Sequence, residues 1–487
     1  MINKQNFQFR DFILLSSIIL LAFIFRLYKI NAPLADLHSW RQADTAAVAR
    51  NFVRDGIDLL HPHYDDLSGR ESGRENPQGH RMVEFPLYNS LFAYAYKSIP
   101  FFSLEIYGRL TSIFFSLIII AIIYFLLMKE AGRLAAMMGS LVYAIFPFFV
   151  FFSRVILPET TAVALIFLSI LFLYLYSLKD ISRLREIAYL ILSLLFFSIS
   201  LLIKPTVIFY AAALLYFFIK KYGLKTLKKI DFYLYFISGL IPFFLWRIYI
   251  KNYPEGIPAS DWLLTSVNTY EGLKTIFLRP AFFRWIFFER LNNMIFGGYL
   301  SFFFLLGIFK RNSKFFFHSL LVGILLYLFV FEGGNVQHEY YQTIILPTIA
   351  IFTGLGVSFL VSLKRNLVPQ PIATLIILVI FVASFSFSYF SIKGFYDYPN
   401  DLVTIAKIIR TLSRQEDKIV TDRSGDTTLL YLADRKGWPT YSENLDYLKE
   451  RGYKFFITAN KDLILEFKSK KIYSAIFENK QFTIFAL

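Results

Sequence analysis

The 487-residue chain contains no cysteine, which excludes disulfide bonds, thiol catalysis and thiolate metal sites. It also lacks the polar composition of a soluble protein, because 56% of its residues are hydrophobic and 19% are aromatic, and its mean hydropathy is +0.51. These values are typical of a polytopic membrane protein. No small-residue cleavage site follows the first apolar run, residues 11–28, so we expect a retained first span rather than a removed signal peptide.

Positive charge is in excess, with a formal net charge of +16 at pH 7. Most basic residues flank apolar spans, so we interpret them as topology signals and contacts for anionic lipid, and we expect no nucleic-acid partner. By length, about 11 segments are able to cross the lipid bilayer. Because some of them are short, a total of about 11 to 13 transmembrane helices fits the sequence. The segments are 11–28, 108–128, 134–152, 158–178, 186–203, 206–220, 231–250, 293–309, 315–331, 343–363 and 370–391.

The loops between these spans alternate along the chain between loops rich in Lys and Arg and loops without such a cluster of basic residues. By the positive-inside rule the basic ones face the cytoplasm. We therefore expect a cytoplasmic amino terminus and an external tail. As a separate expectation, the membrane is the inner membrane of a bacterium and the tail is periplasmic. The basic residues are Lys129, Arg133, Lys179, Arg183, Arg185, Lys220, Lys221, Lys225, Lys228, Lys229, Lys310, Arg311, Lys314, Lys364 and Arg365. The segments expected outside are 29–107, 153–159, 204–206, 251–292 and 332–342.

The stretch DLHSWRQADTAAVARNF, residues 36–52, concentrates chemically active side chains just past the first apolar run. Ser39 followed by Gln42 is a capping-box pattern, which predicts a helix over residues 40–55. Free backbone N–H groups in its first turn, beside Arg41, would make an anion site. The alternative is an ordinary solvated helix on an outer loop.

The tail after residue 394 changes character, because charged residues become frequent and apolar runs shorten. The pattern predicts a small soluble α/β domain over 395–487, on the outer face. It contains no glycine-rich phosphate loop and no metal-ligand spacing, and a lid or packing module without catalysis is the alternative to a catalytic role. The predicted helices are 401–414 and 444–452, and the predicted strands are 418–422, 453–459, KIYSAIF and QFTIFAL.

Five motifs in chain order resemble a known family. They are VARNFVRDGIDLLHPHY (48–64), VEFPLYNSLFAYAYK (83–97), RVILPETTAVALIF (154–167), LLIKPTVIFY (201–210) and HEYYQTIILP (338–347). Together they look like the GT-C glycosyltransferases, in the branch that holds the protein O-mannosyltransferases and the aminoarabinose transferases of lipid A. The family's acidic-X-Pro glutamate, its second acidic residue and its phosphate-contacting lysine match Glu84, Glu159 and Lys204. The resemblance implies a polytopic α-helical GT-C membrane domain over 1–394, whose first outer loop, 29–107, carries the catalytic helix.

One departure from the family pattern falls on that helix. The family carries an Asp-Glu pair at its start, and counting back from Arg50 places this pair on Arg41 and Gln42. The available carboxylates are Asp36, five residues earlier, and Asp44, three residues later. Asp44 lies about one helical turn from Arg41 on a similar face, so we favour Asp44 over Asp36.

The resemblance implies sugar transfer from a polyprenyl-phosphate donor to a lipid, glycan or protein acceptor of the cell envelope, on the outer face and with inversion. Asp44 or Asp36 would act as the general base, and Glu84 is the next candidate. Arg41 and Lys204 would stabilise the charge on the departing phosphate. The remaining residues expected to bind substrate are His38, Trp40, Gln42, Glu159, His338 and Tyr341.

The use of a cofactor and the roles of some candidate residues stay open. No cofactor is assigned, but a divalent cation at His38 or His338 is an alternative to substrate contact. The first-loop histidines lack regular metal spacing, so no metal ligand is assigned. Glu84 could equally be solvated, and Lys204 could extend to the membrane interface.

Two other activities compete with sugar transfer from a monophosphate carrier. A transporter or flippase of lipid-linked sugars would need a polar path through the spans, which the apolar runs do not show. An O-antigen-type polymerase or ligase is chemically nearer, because it would take its sugar from a polyprenyl diphosphate.

The charge pattern makes a topology prediction. A reporter fused after Leu487 should behave as external, and a reporter inserted in the loop from Lys220 to Lys229 should behave as cytoplasmic. Accessibility to a membrane-impermeant reagent in intact cells measures both. Finding the two reporters on the same side of the membrane would contradict the predicted orientation.

Overall fold

The computed structural model describes residues 7–179, 181–259, 276–310, 315–363, 369–441 and 444–487, and these are mostly helical. The first ten helices are α1 (Phe9–Arg26), α2 (Ser39–Asp55), α3 (Leu87–Ser98), α4 (Leu104–Glu130), α5 (Arg133–Ile145), α6 (Pro147–Phe152), α7 (Glu159–Tyr176), α8 (Arg183–Ile203), α9 (Ala211–Tyr222) and α10 (Ile230–Tyr249). The next ten are α11 (Pro280–Phe283), α12 (Ser301–Phe309), α13 (Phe316–Val330), α14 (Glu332–Gln337), α15 (Leu346–Ser362), α16 (Gln370–Ile392), α17 (Asn400–Leu412), α18 (Thr428–Ala433), α19 (Leu445–Glu450) and α20 (Lys461–Lys470). Short 3₁₀ segments such as Pro205–Tyr210 and Glu339–Ile345, and a π-helix over Arg284–Ile295, connect some of them.

Within the described ranges, seven helical segments are long and apolar enough to cross a membrane. They coincide with seven of the eleven predicted spans, and they are Leu104–Glu130, Glu159–Tyr176, Arg183–Ile203, Pro205–Lys228, Ile230–Asn252, Glu339–Ser362 and Gln370–Leu412. The other four predicted spans fall on helices that are shorter or more charged, namely α1, α5 with α6, α12, and α13. The fold class is therefore confirmed, whereas a count of eleven spans goes beyond these seven.

Some of the predicted topology signals lie outside the described residues. They are Arg311, Lys314, Lys364, Arg365 and the part of the 251–292 loop that covers residues 260–275. The predicted orientation stays a prediction.

The chain divides into two compact units. The helical unit comprises Met1–Ile30, Arg109–Trp246 and Ser260–Gly394, and the α/β unit comprises Asn31–Gly108, Arg247–Ala259 and Phe395–Leu487, each so far as it is described. The first loop and the tail thus share one unit, although most of the helical unit separates them in sequence. The predicted domain division at residue 394 stays a prediction.

Glycines let helices of the helical unit approach closely. A Cβ atom on Gly356 of α15 would lie 1.7 Å from the backbone oxygen of Phe303 in α12, and one on Gly307 would lie 2.0 Å from that of Phe352. No side chain fits at these distances, so the two helices pack backbone to backbone.

Three fully buried arginines, Arg26, Arg109 and Arg154, hold the end of α1 in the helical unit. Arg109 donates to the backbone oxygen of Ile30 at 2.7 Å, and Arg154 donates to that of Tyr28. A buried carbonyl without a donor would be costly. These bonds therefore fix the turn from which the first loop begins.

The α/β unit is built on a five-stranded mixed sheet with the order β2-β1-β3-β5-β4. Its strands are β1 (Lys418–Thr421), β2 (Gly437–Trp438), β3 (Tyr453–Thr458), β4 (Ser474–Glu478) and β5 (Thr483–Ala486). Strand β1 pairs in parallel with β2 and β3, and β5 pairs antiparallel with β3 and β4. The first loop joins the sheet at β2, because Leu67 N–H donates to Gly437 O at 2.8 Å and Gly437 N–H donates to Asp65 O at 2.9 Å.

Alternating strand residues supply two cores on the two faces of this sheet. One core contains Ile419, Ile457 and Ile484 with residues of α17 and α18, and also Ala35 of the first loop. The other contains Val420, Phe456 and Phe485 with residues of α19 and α20. The two helices and four strands predicted in the tail are confirmed, whereas α18, β2 and α20 were not predicted.

Candidate functional site

Helix α2 begins at Ser39, with His38 as its N-cap in the left-handed region (φ 58°). The predicted capping box is therefore wrong, because Ser39 is the first helical residue. The Ser39 hydroxyl instead bonds to the hydroxyl of Thr428 at 2.9 Å. The Gln42 amide donates to Asp36 Oδ1 at 2.7 Å and to Leu37 O at 3.0 Å, so both residues serve tertiary contacts.

Asp44 is the most enclosed carboxylate of α2, with 2% of its surface exposed. Thr427 of the tail donates its hydroxyl to Asp44 Oδ1 at 2.6 Å, and Arg81 Nη2 lies 3.0 Å from Asp44 Oδ2. Arg81 also pairs with Glu71, so one guanidinium serves two carboxylates. Burial raises the pKa of Asp44 to about 7, against the opposing effect of Arg81, and the charge of Glu71 adds to the rise.

Asp36, the other candidate base, is 3% exposed and accepts the hydrogen bond from Gln42. This bond closes the segment before α2 onto the first turn of the helix. Asp36 and Asp44 thus have different partners within the α/β unit: an amide for Asp36, and a guanidinium with a hydroxyl for Asp44.

Arg41 and Glu84 form an ion pair at 2.6 Å, with only 8% and 14% of their side chains exposed. Glu84 is therefore not a solvated loop residue. The contact joins the start of α2 to the segment before α3, and Asn89 of α3 strengthens the junction by donating to Thr45 O at 2.7 Å. The expected role of Arg41 at a phosphate stays a prediction.

A second cluster of predicted site residues lies in the helical unit. Glu159 is the first residue of α7 and Lys204 is the C-cap of α8. Lys204 Nζ lies 2.6 Å from Glu159 Oε1 and 5.4 Å from the centre of the Tyr341 ring. Both charged side chains are buried, at 8% and 1% exposed, so Lys204 does not extend to an interface.

The remaining aromatic candidates lie in both units. His338 stacks on Tyr340 with ring centres 5.4 Å apart and also approaches Tyr341 at 6.2 Å. Trp40, in the α/β unit, is half-buried and its backbone oxygen lies 3.3 Å from the Thr427 hydroxyl. Sugar stacking by Trp40 or Tyr341 stays a prediction.

The first-loop histidines pack together in the α/β unit, with the rings of His63 and His80 4.6 Å apart. His61 bonds to Asp58 at 2.8 Å and to the hydroxyls of Tyr249 and Tyr253 at 2.9 Å each. Burial lowers the pKa of both His63 and His80, which favours neutral rings. In the described part of the chain, no three His, Cys, Asp or Glu side chains are arranged to hold a metal ion.

The sequence reasoning missed two residues beside Asp44, namely Arg81 and Thr427. Arg81 stands three residues before Glu84, and so repeats both the spacing and the charge order of Arg41 and Asp44. Thr427 follows the carboxyl end of β1, where ligands and active groups gather in parallel sheets. Each of these signals can be recognised in the nearby sequence. The contacts of Arg81 and Thr427 with Asp44, however, join residues that are far apart in the chain.

Known proteins resemble this chain in sequence and in structure. Residues 101–249 match the sequence family described as dolichyl-phosphate-mannose-protein mannosyltransferase. The structure is similar to that of ArnT from Cupriavidus metallidurans bound to undecaprenyl phosphate, with a TM-score of 0.65 and 12% identity over 97% of each chain. No curated protein matches the chain in sequence.

Two further similarities extend to larger proteins. AglB, the oligosaccharyltransferase of Archaeoglobus fulgidus in complex with an inhibitory peptide and a dolichol-phosphate, gives a TM-score of 0.57 at 11% identity, over 96% of this chain and 71% of that chain. The arabinofuranosyltransferase AftD from Mycobacteria gives 0.52 at 14% identity, over 94% of this chain and 37% of that one. The GT-C fold implied by the sequence motifs is therefore confirmed, and the chain is an integral membrane protein.

Proposed function

We propose that this chain is a glycosyltransferase that moves a sugar from a polyprenyl-phosphate carrier to a cell-envelope acceptor on the outer face of the membrane. The fold supports this proposal, and so do the lipid phosphates bound by two similar proteins, undecaprenyl phosphate in ArnT and a dolichol-phosphate in AglB. A lipid-linked donor keeps its tail in the bilayer, so the enzyme needs no nucleotide-binding domain. The acceptor is a lipid, a glycan or a protein.

The observation that carries the proposal is the environment of Asp44. A general base works best when its pKa lies near the working pH, and the Asp44 carboxyl has its pKa raised to about 7. Thr427 occupies Oδ1, whereas Oδ2, within the described residues, has an ion pair with Arg81 but accepts no hydrogen bond. Oδ2 therefore keeps a lone pair for a proton.

The proposed reaction is a single displacement. The acceptor hydroxyl oxygen forms a bond to the anomeric carbon of the sugar while the bond from that carbon to the phosphate oxygen breaks. The hydroxyl proton passes to Asp44, and the bonding electron pair leaves with the polyprenyl phosphate. Attack opposite to the leaving group inverts the anomeric configuration.

Lys204 is the proposed contact for the donor phosphate. An ammonium group has three N–H donors, so in this proposal Lys204 turns a donor to a phosphate oxygen while its ion pair with Glu159 persists. Its burial matters, because a cation acts more strongly on developing negative charge where water is excluded. Glu159 orients the lysine in this proposal, and His338 and Tyr341 contact the sugar or the acceptor.

The experiment for the whole proposal is a transfer assay with purified protein in lipid. One arm supplies a polyprenyl-monophosphate sugar, and the other supplies a diphosphate-linked oligosaccharide. Release of polyprenyl phosphate, with a labelled sugar on the acceptor fraction, is expected from the monophosphate arm. Activity from the diphosphate arm alone would instead support a polymerase or ligase, and movement of intact donor across the bilayer without transfer would support a flippase.

The same assay decides between the two carboxylates of the first loop. Asp44→Asn keeps the size of the side chain but cannot accept the proton, so it should lower turnover by about two to four powers of ten while donor binding persists. Asp36→Asn is the matched control and should lose less than about tenfold. Inactivity of Asp36→Asn alone would transfer the role to Asp36, and near-normal turnover of both variants would make Glu84 the candidate base.

A further variant set tests the phosphate contact. Lys204→Ala should lower turnover by about a hundredfold or more at unchanged protein level, because a positive charge near the leaving phosphate is lost. Lys204→Arg keeps the charge and should retain part of the activity, and Arg41→Ala in the same assay tests the second predicted cation. Turnover near normal in both alanine variants would contradict the assignment.

A further inference from the structure

We propose that Thr427, a residue of the carboxyl-terminal domain, is a positioning residue for the transfer reaction, because its hydroxyl holds the Asp44 carboxylate in one orientation and in its ionised form. This inference rests on the proposed role of Asp44 as base. It gives the tail a part in catalysis, in place of the lid or packing role considered from the sequence.

The geometry of the Thr427 hydroxyl is specific. It lies 2.6 Å from Asp44 Oδ1 and 3.3 Å from the backbone oxygen of Trp40. A hydroxyl has one proton to donate, and the much shorter contact is the one to the carboxylate. With Oδ1 bound in this way and Oδ2 beside Arg81 at 3.0 Å, both ends of the carboxylate are held, and its plane is fixed.

The local backbone holds Thr427 rigidly, at 3% exposed. It is the N-cap of α18, and its carbonyl accepts from the N–H of Tyr431 at 3.0 Å. The neighbouring Thr428 is tied to Ser39 at 2.9 Å through their hydroxyls. Two successive threonines of the tail therefore contact the first and second turns of α2.

A second contact anchors α18 against the same helix. Arg50 of α2 donates to the backbone oxygen of Tyr431 at 2.8 Å and lies over its ring at 4.4 Å. The Tyr431 hydroxyl donates to Glu105 at 2.7 Å. A group placed by this many fixed partners can orient a reacting group at little entropic cost.

The charge balance around Asp44 gives the hydrogen bond a chemical effect. The ionisable groups around it are Arg41 on its own helix and Tyr64, Asp66, Glu71 and Arg81 on the first loop. Burial and the charge of Glu71 raise the pKa of Asp44, whereas Arg81, Thr427 and Arg41 lower it. A donor to an ionised acceptor makes a stronger bond than a donor to a neutral one, so loss of the Thr427 hydroxyl should raise this pKa further.

The sheet topology explains how the tail reaches α2. Strand β1 lies between β2 and β3, and the chain leaves β1 first towards β2 and later returns to β3 on its other side. In open parallel sheets, binding and active groups gather beyond the carboxyl ends of the strands where the order reverses in this way. The segment that contains Thr427 leaves β1 at this edge, so the edge faces the candidate base.

The test is the pH dependence of kcat/KM for transfer by the full-length protein in lipid. Thr427→Val keeps the shape and removes the donor, and we expect the acidic limb of the profile to move up by about one pH unit. With a limb near 7 in the parent protein, this shift lowers activity about fivefold at pH 7 and leaves it nearly unchanged at about pH 9. Thr427→Ser restores the hydroxyl and should restore the parent profile.

Thr428→Val is the matched control, because it removes the adjacent hydroxyl and its bond to Ser39 but not the contact to Asp44. Its acidic limb should stay where the parent has it. If Thr427→Val does not accumulate, Thr427→Ala removes the same donor with a smaller side chain.

Two results would overturn the positioning role. An equal loss at every pH would show that Thr427 only packs, and an unshifted profile at full activity would show that its bond does not matter. The Asp44→Asn variant shows whether such a result contradicts only the role of Thr427 or the proposed function as a whole. If Asp44→Asn is inactive while Thr427→Val keeps the parent profile, only the role of Thr427 is wrong, whereas an active Asp44→Asn removes the base itself.

Discussion

The candidate site depends on one shared cation. Arg81 lies between Asp44 and Glu71, buried with 8% of its surface exposed, and a single guanidinium cannot fully compensate two carboxylates away from water. Burial raises the pKa of Asp44 to about 7, and the charge of Glu71 adds to the rise. Arg81, the Thr427 hydroxyl and Arg41 act in the opposite direction and stabilise the ionised carboxylate.

Two ion pairs connect α2 to the segment before α3. Arg41 pairs with Glu84, and Asp44 pairs with Arg81. Each segment carries an arginine followed three residues later by an acidic residue, and each arginine pairs with the acid of the other segment. Arg41, which stands where the resemblance would place the family's aspartate, is therefore matched by a glutamate, and Asp44, about one turn further along α2, is matched by an arginine.

Sequence reasoning located the helices because apolar runs of sufficient length have few other solutions in a membrane, and it located the tail strands because their alternation is strong. It also selected Asp44, Glu84, Glu159 and Lys204 as candidate site residues, each without its partner, and their roles stay predictions. It could not find the partner of Asp44 in the tail, since Thr427 is 383 residues away and no local pattern encodes that distance. The capping box failed for the same reason, because Ser39 and Gln42 make tertiary bonds that the local pattern does not reveal.

The central claim is that a buried carboxyl on α2 loses its proton close to neutral pH. Infrared difference spectroscopy on the protein in lipid measures this directly, by following the carboxylic acid C=O band as pH rises and subtracting the same titration of Asp44→Asn. The account predicts that the subtracted band disappears with a midpoint of about 7. A midpoint near the ordinary aspartate value of about 3.9, or a titration that Asp44→Asn leaves unchanged, would contradict it.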